Sequence, residues 1–325
     1  MSPPDREPVV LVSAADDRYV QPLAVMLHSA LNNLSSPGTS VVYILDGGIT
    51  PAHKHDLVRS CSSLGAAMHW LPVTAPPLSG LPLWGRMPVA TYYKLLIGDL
   101  IPASVSKAIW LDCDLVVLSD LQRLWNTDMA GRHALAAQDV VVPLVSSRNG
   151  VGSYRQLGIP SDAPYFNAGV MVVNLELWRR DRIPDRVLEY LRRHRDTVVF
   201  WDQEGLNAVL AGKWGALDPR WNYNVAVRGA RLRGVHHDAD EPWIVHFTGK
   251  LKPWIYPRRD AFHALYFRYL DLTVWAGYRP KRSLTGRMVE LYERSGLRHV
   301  LYPAEEWAVR LVRARTRKYA SEVLR

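Results

Sequence analysis

The sequence predicts an α/β fold on a mixed, mostly parallel sheet, and three observations carry that expectation. Through the first 250 residues, short apolar runs bounded by turn residues alternate with longer amphipathic stretches, the pattern of successive βαβ units. A length of 325 residues suits one large domain with an appendage. The composition, 48% hydrophobic and 22% charged with no low-complexity tract, is that of an ordinary folded globule.

The elements follow in order. Residues 9–14 read as a first strand and 20–34 as a helix with Leu23, Leu27, Ala30 and Leu31 on one face. A strand over 41–45 leads to a helix over 51–64 that carries proline in its first turn, then to a strand over 67–71. A proline-rich loop over 72–88 separates these from a helix over 89–100. Residues 107–111 form a buried strand ending in Asp-Cys-Asp, with a further short strand over 115–118. A strand over 165–175 contains an Asn-Ala-Gly break, helices cover 184–195 and 202–210, and 242–247 is the last core strand. The predicted boundary between a catalytic domain and a helical, basic, aromatic-rich segment falls between residues 256 and 257.

Charge is unevenly distributed. From Ile255 onward there are 15 Lys+Arg against 7 Asp+Glu, whereas the preceding chain carries 25 against 24. Near the C-terminus, Trp307, Ala308, Leu311, Val312 and Tyr319 share one helical stripe and Arg310, Arg313 and Arg317 another. Either this stripe lies on an anionic membrane surface or it packs back on the body with its arginines solvated. The neutral body, without RNP, KH, helix-turn-helix or zinc spacing, argues against nucleic acid as a partner. The N-terminus lacks a secretory apolar region and no apolar run approaches ~18 residues. The expected location is therefore cytoplasmic, with peripheral attachment to the inner face of the membrane if the tail binds lipid. Cys61 and Cys113 are expected to be reduced thiols.

The candidate site begins with what is missing. There is neither GxGxxG nor GxxxxGK[ST], so no glycine-rich loop is available to cradle phosphates. A diphosphate must then be neutralised in another way, and a divalent cation is suited to it. Asp112 and Asp114 end an apolar strand, where alternation points both carboxylates to one face. His246 ends another strand and is followed by Gly249, which permits close backbone approach, and Lys252, which can meet phosphate. Asp202 also reads as a helix N-cap, and Asn167 as a residue of a bulge or turn.

Six segments, AADDRY, ATYYKL, WLDCDLVVL, YFNAGVMVVNLELWR, DQEGLN and HFTGKLKPW, occur in that order between Ala14 and Trp254. In this the chain resembles glycosyltransferase family 8, retaining enzymes of the GT-A (Rossmann-like) nucleotide-diphospho-sugar transferase fold. The likeness is greatest to bacterial lipooligosaccharide α-galactosyl- and glucosyltransferases, and glycogenin is more distant. The resemblance implies Mn²⁺ (or Mg²⁺) on Asp112, Asp114 and His246, holding the diphosphate of a UDP-hexose. It implies that Ala14, Ala15 and Asp16 meet the uracil, that Asp112 and Cys113 lie near the ribose, and that Gly249 and Lys252 contact the phosphates. It assigns Lys94 to the donor sugar and phosphate, Asp139, Asn167 and Asp202 to sugar hydroxyls, and Gln203 to the space beneath the anomeric carbon. Two positions depart from the family's galactosyltransferases: Arg18 replaces an asparagine that contacts the nucleotide, and Arg86 replaces a histidine near the acceptor.

The implied reaction transfers galactose or glucose from a UDP-sugar to the hydroxyl of a saccharide or lipid-linked glycan, with Gln203, Asp202 and Lys252 nearest the chemistry. An oxocarbenium-like state places negative charge on the departing diphosphate and positive charge on the anomeric carbon. Gln203 is a neutral amide and a poor covalent nucleophile, which favours front-face transfer over double displacement through Glu204. Two other classes are a non-catalytic UDP-sugar-binding protein, expected to lack the metal ligands, and a nucleotidyltransferase, expected to carry a glycine-rich N-terminal loop.

Overall fold

The structure is a computed structural model that describes residues 7–74, 76–81, 88–225, 241–249, 252–256 and 260–281. Arg86 and the amphipathic stripe over 303–325 lie outside the described residues. One compact unit comprises residues 1–253 and 259–278; a second comprises 254–258 and 279–325 and is described only at its edges.

In the first unit, β1 (Val10–Ala15) is followed by α1 (Val20–Asn32), β2 (Val41–Asp46), α2 (Pro51–Cys61) and β3 (Ala67–Pro72). Nearly every residue of α1 is buried, which explains a helix apolar around its circumference. Thr50 caps α2 by accepting from the His53 N–H, and Pro51 occupies the first helical position, where a missing donor costs nothing. A 3₁₀ segment over Val89–Leu96 precedes α3 (Ile97–Leu100), so the helix expected over 89–100 is α-helical only in its last turn. Tyr92 to Ile97 are all buried, so the segment is packed on several sides.

Then come β4 (Lys107–Leu111), β5 (Leu115–Val117), α4 (Leu121–Trp125), β6 (Ala134–Gln138), β7 (Phe166–Asn174), α5 (Leu175–Arg180), α6 (Ile183–Arg193), α7 (Trp201–Leu210), β8 (Trp214–Ala216), β9 (Tyr223–Asn224), β10 (Ile244–His246) and α8 (Ala261–Leu270). Seven strands form the main sheet in the order β3-β2-β1-β4-β7-β6-β8. Neighbours are parallel except β7, which runs antiparallel to both β4 and β6. The mostly parallel sheet is thus as expected.

Local details differ. The Asn-Ala-Gly segment does not end β7, but the register against β6 shifts across it: Ala136 pairs with Met171 and Gln138 with Phe166, so residues 167–170 of β7 face Ala137 alone. The strand stops one residue short of the expected end because the Asn174 side chain accepts from the Leu177 N–H and starts α5. The last strand, β10, belongs to a separate three-stranded sheet, β5-β10-β9, antiparallel to β5 and parallel to β9. Among the described residues, no helix is long and apolar enough to cross a membrane.

Asn207 fastens α7 to β7. Its side chain accepts from the Phe166 N–H at 2.8 Å and donates to the Phe166 and Gln203 carbonyls, both at 2.9 Å. Asn207 is 1% exposed, so no water can replace these bonds at small cost. Asn207→Ala is expected to lower unfolding stability by about 2–3 kcal/mol, because a buried N–H and C=O lose their partners. Urea denaturation followed by circular dichroism measures it.

Candidate functional site

The Asp112-Cys113-Asp114 turn spans the two sheets. The Asp112 N–H donates to Gly169 O of β7 at 2.9 Å, and Asp114 O accepts from the Phe247 N–H, just past β10, at 2.9 Å. The two carboxylates therefore converge because each is anchored to a different ladder, not through alternation along one strand. Cys113 turns the opposite way: its thiol donates to Ala14 O at 2.8 Å and lies beside Ser13. Burial pushes that thiol well above the ordinary range.

Ligand atoms of Asp112, Asp114 and His246 all lie within 4.8 Å of one another. Two carboxylate oxygens and an imidazole nitrogen form a donor set that fits a divalent cation such as Mn²⁺ or Mg²⁺. His246 presents Nε2 to Asp114 Oδ1 at 3.2 Å, and Lys252 pairs with the other carboxylate oxygen. Burial alone would raise the Asp114 carboxyl, but the Lys252 ammonium, with His246 beside it, prevails and holds it far below the usual carboxylate range.

A second charged group adjoins the first. Lys94 is 4% exposed, and its ammonium lies 2.9 Å from Asp202 Oδ2, 3.2 Å from Asp112 Oδ1 and 3.2 Å from Ala168 O. Burial acts to lower the Lys94 pKa, but Asp112 and Asp202 more than offset it and the ammonium is held charged. Burial raises the Asp202 carboxyl, with Lys94 pulling against it. Asp202 is not an N-cap: Phe200 holds that position, and the Asp202 carboxylate instead accepts from the Thr91 hydroxyl at 2.9 Å.

The remaining candidates join by amide groups. Gln203 Oε1 accepts from the Ala168 N–H at 3.1 Å and its Nε2 donates to Asp139 Oδ2 at 3.1 Å. Asn167 donates to the same oxygen at 2.9 Å. Asp139 Oδ1 also accepts from the Val141 and Val142 N–H groups, so one carboxylate both shapes a turn and orders the site. Asn167 lies within β7, in the segment where the register against β6 shifts, as its reading as a bulge residue anticipates. Glu204 faces elsewhere, accepting from the Tyr190 hydroxyl at 3.0 Å and the Val199 N–H at 2.7 Å.

At the end of β1, Ala14 and Ala15 lead to Asp16, whose carboxylate accepts from the Arg18 N–H and its guanidinium. Arg18 is otherwise mostly exposed. Gly249 has φ +75° with open space where a side chain would begin, a conformation that favours glycine. Tyr19 is a half-buried aromatic of this corner; partial burial, with Asp114 contributing, pushes its phenol up to about 12.

The model for Glycosyl transferase family 8 matches residues 10–257. The chain belongs to glycosyltransferase family 8. General stress protein A of Bacillus subtilis (strain 168) is 30% identical over 279 residues, covering 82% of this chain and 94% of that protein. A putative glycosyltransferase of Haemophilus influenzae is 26% identical over 246 residues, covering 75% and 72%. Among solved structures, the galactosyltransferase LgtC, in complex with donor and acceptor sugar analogs, superposes with a TM-score of 0.69 at 26% identity, over 86% of this chain and 99% of that one. The family 8 chain thus has the GT-A fold that the sequence led us to expect, and it is a glycosyltransferase by family.

Asn222, Thr91 and Ala168 belong to the same polar network, and no motif pointed to their contacts. Asn222 meets a histidine 24 residues later and Thr91 an aspartate 111 residues later, separations with no periodic signal. Lys94→Met is expected to cost about 3–5 kcal/mol by leaving buried carboxylates without their cation. Adding Asp202→Asn to it should recover part of the loss, a coupling that a thermal-melt double-mutant cycle reads out.

Proposed function

We propose that the chain transfers a hexose, galactose or glucose, from a UDP-sugar to an acceptor hydroxyl with retention of configuration. The observation that carries this reading is the convergence of Asp112, Asp114 and His246 from two sheets onto one point, beside Lys252 and the Lys94–Asp202 pair. The sugar analogs bound by LgtC support a donor and an acceptor of the same class.

A divalent cation on the three ligands would supply Lewis-acid neutralisation of the diphosphate without a proton donor. The protein's own groups do the rest. Lys252 is already oriented by Asp114, so its ammonium needs little reorganisation to meet a phosphate oxygen. Lys94 holds a fixed positive charge between two carboxylates, which suits charge that develops at the leaving oxygens.

Gln203 is fixed at both ends of its amide, by Ala168 and Asp139. Its carbonyl dipole therefore has one orientation in which to support a developing cation, and a second lone pair with which to do so. Asp139, Asn167 and Asp202 bind sugar hydroxyls in this reading. The acceptor proton leaves to a diphosphate oxygen in front-face transfer, so no protein base is required. Glu204 is occupied by Tyr190 and Val199 and is a poor candidate for nucleophile.

Hydrolysis of a panel of UDP-hexoses, with and without Mn²⁺ or Mg²⁺, tests the reading. Turnover is expected with UDP-galactose or UDP-glucose and is lost on chelation; Asp114→Ala removes several kcal/mol of stabilisation, or ~100-fold or more in kcat. Equal turnover in chelator would end the metal-dependent reading. Incubation with a fluorinated donor analogue, followed by peptide mass analysis, is expected to leave Glu204 unmodified; a sugar on Glu204 would replace front-face transfer by double displacement.

A further inference from the structure

The His246 ring is held from behind by a residue that no sequence motif singled out. Its Nδ1 lies 2.8 Å from Oδ1 of Asn222, which is 7% exposed. Asn222 Nδ2 donates to Asn167 Oδ1 at 2.9 Å, and Asn167 Nδ2 donates to Asp139 Oδ2 at 2.9 Å. Asp139 Oδ2 also accepts from Gln203. One uninterrupted chain of hydrogen bonds therefore runs from the back of the imidazole to the amide proposed to lie beneath the anomeric carbon.

The direction of every link is fixed by chemistry. The Gly169 N–H, which can only donate, points at Asn167 Oδ1 at 3.0 Å, so that end of Asn167 is its carbonyl. Its other end faces the Asp139 carboxylate, which, ionised, can only accept; the assignment from the opposite side agrees. The group of Asn222 that faces Asn167 Oδ1 must then be its NH₂, which leaves the Asn222 carbonyl for His246. That carbonyl cannot donate, so Nδ1 carries a proton and Nε2 is the nitrogen directed at Asp114.

We infer that Asn222 is a positioning residue with two separable functions: its carbonyl fixes the proton of His246 on Nδ1, and its NH₂ ties the metal ligand to Asn167, Asp139 and Gln203. Outer partners of this kind orient a ligating histidine and set its tautomer. Here the polarity originates in the backbone N–H of residue 169, and glycine is required there because a Cβ would overlap His246 Cε1 and lie 2.9 Å from its Nδ1. The glycine thus provides both the space for the ring and the N–H that orders the chain. This inference rests on the proposed metal-dependent transfer for its consequence in catalysis, but not for the placement of the proton.

Two variants separate the two functions. Asn222→Asp keeps an acceptor for Nδ1 but presents an acceptor to Asn167 Oδ1, so it breaks the forward link alone. Asn222→Leu has similar size and breaks both. Mn²⁺ affinity, from electron paramagnetic resonance in the presence of UDP, is expected to stay within about threefold of wild type in Asn222→Asp and to fall 10–100-fold in Asn222→Leu. The kcat for UDP-sugar hydrolysis is expected to fall in both, with Asn222→Asp losing kcat at nearly unchanged metal affinity. Histidine-selective ¹⁵N spectra of the Mg²⁺-loaded wild type should show Nδ1 of His246 protonated.

Unchanged Mn²⁺ affinity in Asn222→Leu would overturn the inference, as would an equal loss in both variants. A wild-type His246 with Nδ1 unprotonated would overturn it without recourse to any variant. If the wild type neither binds Mn²⁺ nor hydrolyses any UDP-sugar, the proposed function fails, while the same nitrogen spectra recorded on the metal-free wild type still decide the proton placement.

Discussion

Two backbone hydrogen bonds on either side of Cys113 hold the rest of the site in place. One joins Asp112 to β7 of the main sheet and the other joins Asp114 to the strand-end segment of the small sheet. A carboxylate pair carried by a free loop would repel and spread. Here the separation is imposed by the backbone, and the repulsion is offset by cations already present, Lys94 on one side and Lys252 on the other. The arrangement is therefore held together by its own charges, at the cost of burying several that are stable only as a group.

That interdependence explains why so many polar residues of the centre are buried. Lys94, Asp139, Asp202, Asn222 and His246 are each less than a tenth exposed. Each is satisfied by a neighbour whose own orientation is fixed elsewhere, and buried polar networks of this sort rigidify only when every member is paired. Preorganisation of this kind is what electrostatic catalysis requires, since dipoles already aligned need no reorganisation as charge develops.

Much of this was legible in the sequence. Asp112, Asp114 and His246 stood out because each ends an apolar run where a polar residue has no packing role, and the order of elements gave the parallel sheet. Other parts were not legible. β6, Ala-Leu-Ala-Ala-Gln, is rich in a residue with little preference for strands, and β8 and α4 are too short to show a period. The 3₁₀ segment at Val89–Leu96 read as an α-helix because a mixed apolar run carries no sign of how tightly it winds. Asn222 was invisible for a different reason: a side-chain amide just before β9, 24 residues from its partner on the neighbouring β10, obeys no spacing rule, and only the fold brings it behind the ring.

The two thiols have a practical implication. Cys61 and Cys113 are both free and buried, and burial pushes the Cys61 thiol up to about 12 and that of Cys113 higher still. At neutral pH neither holds an appreciable thiolate fraction, the form that alkylating reagents attack. A single cysteine engineered onto an exposed position can therefore carry a fluorophore or spin label on an otherwise native background, leaving the Asp112-Cys113-Asp114 turn chemically intact.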